Sequence, residues 1–169
     1  MDTKIVFKAI ILLLITASLC YGSPEKHDFT KLDAQGGNLP DDAQTWSMVR
    51  DNTTQLVWEV KTDDGSIHDK NNTFSYTEAE EKLIGELNRT KFGGFSDWRM
   101  PSNDELYSIR IKGSEPYING LFFPHTVPTA YHSWRLCGSG EIFNEKVKFG
   151  KKRTKGSIRQ ARAVRGKNI

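Results

Sequence analysis

At 169 residues the chain has room for one domain of ordinary size with a core of its own. Its net charge of +3 conceals a split: Lys146 to Ile169 holds ten Lys and Arg and no acid, leaving fourteen bases against twenty-one acids elsewhere. An acidic body with a basic C-terminal strip points to a polyanion partner, while two cysteines are too few for a disulfide-built scaffold.

Met1 to Lys8 carries two lysines and one acid, and Ala9 to Leu19 is an apolar run ending at Cys20-Tyr21-Gly22-Ser23-Pro24. A run this short suits a secretory signal peptide cleaved after Gly22 better than a stable bilayer span. An uncleaved anchor and lipidation at Cys20 are the alternatives, although Leu19 is bulkier than the small residue expected before a lipidated cysteine. Residues 1–22 are read as a leader, 23–28 as a disordered lead-in and 29–166 as the domain. Export places the mature chain in the periplasm, at the cell surface or outside the cell. Cleavage after Gly22 leaves Cys137 without an internal disulfide partner, so it reads as a buried free thiol.

Phe29 to Asp33 alternates as a first strand, and Gly36 to Asp42 is turn material. Trp46 to Asp51 and Gln55 to Lys61, split by Asn52-Thr53-Thr54, predict a hairpin with Leu56 and Trp58 on one face. A polar loop, Thr62 to Thr73, follows. Its Asp69-x-Asn71-x-Thr73 spacing, continued to Glu80, echoes a calcium-binding loop, but Phe74 stands where such a loop needs glycine and no helix precedes it. A solvated loop is the default. Tyr76 to Asn88 is the clearest helix: Thr77 and Glu80 are spaced as a capping box, and Ala79, Leu83, Ile84 and Leu87 give one apolar face.

Gly93-Gly94-Phe95-Ser96-Asp97-Trp98-Arg99-Met100-Pro101-Ser102 reads as a tight turn, a short extended segment and a helix start. Ser102 or Asn103 can cap a second helix to about Ile109, with Leu106 and Ile109 inward. Asp97-Trp98-Arg99 fits either a polar cleft site or a fastener, with Trp98 as core anchor and the charges tying loops together; the second reading is preferred. Prolines 116, 124 and 128 rule out long regular elements beyond Gly113, where Leu121-Phe122-Phe123 is expected to insert apolar side chains into the core.

Tyr131 to Arg135, Phe143 to Lys148 and Ile158 to Arg165 alternate as strands, the last two joined by the basic loop Gly150 to Gly156. Lys148, Lys151, Lys152, Arg153, Lys155 and Arg159 are the candidate ligand-binding residues, because ammonium and guanidinium groups suit sulfate and carboxylate without a deep pocket. The rival reading is a solvated face that balances the acidic body. Arg162 and Arg165 lie in an apolar run and read as structural partners of an acid such as Asp97.

The order of landmarks resembles one family. Trp58-Glu59-Val60-Lys61, Asp63-Asp64-Gly65, Tyr76-Thr77-Glu78-Ala79, Gly94 to Ser102, Glu105-Leu106, Phe123-Pro124 and Arg162-Ala163-Val164-Arg165-Gly166 follow one another in an order that resembles the Lcl C-terminal domain family, named for a Legionella collagen-like adhesin. The resemblance runs from about Phe29 to Gly166. Trp58, Asp97, Trp98, Arg99, Pro101, Arg162 and Arg165 form its structural signature. One segment departs from it: Tyr131-His132-Ser133-Trp134-Arg135 stands where members usually have a Tyr-Trp-Ser-Ser-Thr-like run. The resemblance implies a single α+β domain of antiparallel strands with two helices, related to C-type-lectin-like architectures and displayed outside the cell. For the adhesin it implies binding of sulfated glycosaminoglycans through basic residues.

No catalytic set is evident. HExxH, CxxC and Gly-x-Ser-x-Gly patterns are absent, and His27, His68, His125 and His132 are not at metal-ligand spacing. The tryptophans and tyrosines read as core before they read as a sugar-stacking platform. The expectation is a non-catalytic binding module for acidic or sulfated polysaccharide, without cofactor, metal or specific nucleic-acid partner. The alternative is a structural or protein-interaction domain whose partner is an envelope protein.

Overall fold

The structure, a computed structural model, describes residues 28–111, 118–127 and 158–169. The leader and lead-in before residue 28, Cys20, Cys137, His27, His132 and the two strands expected at Tyr131–Arg135 and Phe143–Lys148 lie outside the described residues.

Strands β1 (Phe29–Leu32), β2 (Met48–Asp51), β3 (Val57–Glu59) and β4 (Val164–Arg165) form an antiparallel sheet in the order β1-β2-β3-β4. The expected hairpin is β2 and β3, with Val49 opposite Trp58. Its turn is closed by Asp51, whose carboxylate accepts from the backbone N–H of Thr53 at 2.8 Å and Thr54 at 3.2 Å.

Both faces of the sheet are covered, which is why Val57, Trp58 and Glu59 are all buried despite strand alternation. On one face Phe29, Val49, Leu56, Trp58, Val60 and Val164 pack with Leu106, Ile109, Ile118 and Phe123. Leu56 and Trp58 share that face, as their two-residue spacing requires. On the other, Leu32, Met48 and Val57 meet Ala79, Leu83, Leu87, Trp98 and Met100. The chain is therefore a small α+β domain.

One main helix is built from α1 (Tyr76–Glu78), a π turn (Ala79–Ile84) and α2 (Gly85–Arg89). Ala79, Leu83 and Leu87 are buried. A strict four-residue spacing overshoots the ~3.6-residue turn of an α-helix, and the wider π turn brings these residues back onto one face. The capping box is Ser75 with Glu78 rather than Thr77 with Glu80. Phe74, held extended by backbone bonds to Arg159 in both directions, ends the preceding segment and makes Ser75 the first residue free to cap.

Helix α3 (Asn103–Ser108) starts at Ser102, whose hydroxyl accepts from the N–H of Glu105 while the Glu105 carboxylate accepts from the N–H of Ser102. Phe123 is inserted into the core as expected and Phe122 packs against it, but Leu121 is 76% exposed. Asn119 accepts from the N–H groups of Leu121, Phe122 and Phe123, and the turn so formed carries Leu121 at its tip. The continuous strand expected at Ile158–Arg165 is instead a run of short pairings: Arg159 with Phe74, then Val164 with both Trp58 and Arg99.

Gly93 adopts φ +67°, and a Cβ there would lie 2.5 Å from Sδ of Met48. Gly93→Ala is expected to cost about 1–3 kcal/mol from backbone strain alone, with the Met48 clash added, as a lower midpoint in urea unfolding.

Candidate functional site

Glu59 and Lys61 are two residues apart on an extended segment, so both side chains leave it on the same side, the one covered by the main helix. Both are fully buried. Glu59 Oε1 accepts from Lys61 Nζ and faces Nδ1 of His68, each at 2.9 Å, and Oε2 accepts from the backbone N–H of Ala163 at 2.9 Å. An ionised carboxylate only accepts, so His68 carries its proton on Nδ1. Burial pushes the Glu59 carboxyl up, but the charge of Lys61 and the bonds from His68 and Ala163 outweigh it and hold the carboxyl at about 2. Burial lowers the pKa of Lys61, and Glu59 opposes it. The backbone of Glu59 is engaged as well: its carbonyl accepts from Arg162 Nη1 at 2.8 Å and its N–H donates to Ala163 at 3.0 Å.

Asp97, Trp98 and Arg99 form a second junction. Arg165 donates to both carboxylate oxygens of Asp97, at 2.7 and 3.0 Å, and its guanidinium lies 3.9 Å from the Phe95 ring centroid. The bond from Arg165 lowers the Asp97 pKa. Trp98 is buried and donates from Nε1 to the Phe92 carbonyl. Arg99 clamps Glu105 through two bonds of 2.8 and 2.6 Å and also reaches the Gly166 carbonyl at 3.1 Å. Pro101 is buried beside the Ser102 cap. Arg162 meets the Glu59 carbonyl and the Thr126 hydroxyl rather than Asp97. It lies 5.2 Å from the Phe123 ring centroid.

Lys148, Lys151, Lys152, Arg153 and Lys155 lie outside the described residues. Arg159 is half-buried, its Nε has no hydrogen-bond partner among the described residues, and burial lowers its pKa. In the Thr62–Thr73 loop the carboxylates are occupied by the loop itself. Asp64 accepts from Thr62 Oγ1 and the Ser66 N–H, while Asp69 accepts from the N–H groups of Gly65 and Asn71. Among the described residues no group of three or more His, Cys, Asp or Glu is placed to hold a metal ion.

The sequence reading passed over Glu59, Lys61 and His68 as a cluster. Its signal was present: a Glu and a Lys on the same face of an otherwise apolar strand run must be buried together or expose the core.

The described residues form a small α+β domain whose interior charges fasten distant segments. The chain matches the family model for the Lcl C-terminal domain over residues 47–165 and belongs to that family. No curated protein and no solved structure matches it. The matched region takes in both the Glu59 cluster and the Asp97–Arg165 junction.

Replacing Glu59 by Gln leaves Lys61 buried without its counter-charge, and a loss of about 3–5 kcal/mol is expected in urea unfolding. Because the folded carboxyl titrates at about 2 against an ordinary 4.5, its contribution is complete above pH about 4.5 and is lost as pH falls toward 2. The stability gap between native protein and variant should therefore narrow over that window.

Proposed function

We propose that the domain is a non-catalytic, adhesin-like module of the cell envelope, exported by its N-terminal leader, that binds acidic or sulfated polysaccharide. The observation that carries this reading is the disposition of the ten basic residues from Lys146 onward. Arg162 and Arg165 are used inside the fold, on Glu59, Thr126 and Asp97. Arg159 is held at the Phe74 bridge with no acidic partner among the described residues, and a sulfate or carboxylate beside it would offset its partial desolvation. The dense run Lys151-Lys152-Arg153-x-Lys155 adds four charges within five residues. Kinship with C-type-lectin-like architectures belongs to the same proposal and rests on the family resemblance.

Retention of the purified protein on heparin–agarose under rising salt tests it, beside a variant with Lys151, Lys152, Arg153 and Lys155 changed to Ser. The native protein is expected to be held beyond physiological ionic strength, about 0.15 M, and the variant to elute well before it. Elution of both together at low salt would make the basic run a solvated face and turn the search to envelope proteins.

A further inference from the structure

A cleft of about 500 Å³ opens between the segment after β1 and the turn that carries Leu121, lined by residues that neither the Glu59 cluster nor the Asp97–Arg165 junction uses. Its floor is preorganised. The half-buried Trp46 donates from Nε1 to the Phe122 carbonyl at 2.8 Å, and Lys31 Nζ lies 4.0 Å from the Trp46 ring centroid. That ammonium is pinned by the carbonyls of Asp41 and Ala43, each at 2.8 Å, so the loop holding Trp46 is tied to β1. Phe122 lies against Phe29 in the core, ring centroids 5.2 Å apart, which fixes the opposite wall. At the mouth stand the exposed Asp41 and Asp42, the exposed Gln44 amide and the apolar side chain of Leu121, 76% exposed.

These groups select a ligand by its charge. Lys31 already holds the cation position over the Trp46 ring, so a second cation there would meet like charge. Two carboxylates at the mouth, unpaired among the described residues, repel an anion, which separates this cleft from the polyanion surface proposed above. A wholly apolar segment would desolvate both carboxylates without compensation. What remains is an uncharged molecule with one apolar face and many hydroxyl donors.

We propose that the cleft is a binding site for an uncharged saccharide. A pyranose ring lays its C–H face on the exposed part of the Trp46 indole and against Leu121, and its hydroxyls donate to Asp41 and Asp42, with Gln44 able to donate or accept. The volume lies in the range of small-ligand sites and accommodates a short stretch of chain. This inference is independent of the polyanion reading, because it uses none of the basic C-terminal residues.

Calorimetric titration of the full chain with uncharged cello-, laminari-, malto-, manno- and xylohexaose, at about 0.05 and about 0.5 M salt, tests it. At least one hexasaccharide is expected to bind with a Kd of about 1 mM or tighter, equally at both salt concentrations. Asp41→Ala/Asp42→Ala, on exposed side chains whose loss leaves the core intact, should weaken it at least about tenfold, and Trp46→Ala should abolish it. Heparin retention of the Asp41/Asp42 variant should not fall below that of the native protein, so the two readings can fail separately. No binding across the panel, binding that weakens with salt, or binding indifferent to the Asp41/Asp42 double variant would overturn the proposal. So would displacement of the sugar by a lysine-rich peptide of comparable affinity, which would assign the cleft to a basic protein segment.

Discussion

Glu59 stands at the centre of the fold because a carboxylate with no access to water must find every partner within the protein. It takes one charge from Lys61, one proton donor from His68 and one backbone N–H from Ala163, and these come from three separate stretches of chain. The Ala163 bond spans 104 positions. Hydrophobic contact alone would tolerate the final strand sliding along β3, since Ala161 and Ala163 are small and alike. A buried carboxylate does not tolerate it, because a slipped register would leave an acceptor unsatisfied in a low-dielectric interior. The ion pair by itself is weak evidence of stability. Its contribution here is to specify alignment.

The Asp97-Trp98-Arg99 stretch repeats this logic nearer the surface. Each residue of the triplet is engaged by a different part of the structure: Asp97 by Arg165, Trp98 by the Phe92 carbonyl, Arg99 by Glu105 and Gly166. Glu105 in turn caps the helix that Ser102 begins, so one carboxylate serves both a helix terminus and a guanidinium. A short polar motif thereby joins α3, the glycine turn and the last strand. Its polar atoms are occupied by the fold rather than offered to a ligand.

Local signals in the sequence were readable where a short-range rule decides the outcome. The hairpin followed from alternation about Asn52-Thr53-Thr54, and α3 from Pro101 followed by a capping residue at Ser102 or Asn103. The cap of the main helix was displaced by two residues, because a pairing between Phe74 and Arg159, 85 positions apart in the chain, decides where the helix can begin. Leu121 reads as core by composition, yet the turn around Asn119 leaves it outside. The strand expected at Ile158–Arg165 has the right alternation, but its partners change along its length, and periodicity carries no information about partners. The Glu59–Lys61 pair could be read locally, but the Ala163 N–H that completes its cluster and the walls of the Trp46 cleft come from distant stretches, which no window along the sequence contains.

The closing role of residues 159–165 bears on when the domain can acquire its structure. Phe74, Glu59 and Arg99 all wait for partners supplied by that segment, and β3 has no second neighbour in the sheet until Val164 arrives. Contacts of this sequence separation form slowly, and a ribosome adds only about 5–20 residues per second. A nascent chain short of this segment keeps its central strand open and its buried carboxylate unpaired. Late closure of this kind defers compaction of the sheet until residues 159–165 have been synthesised.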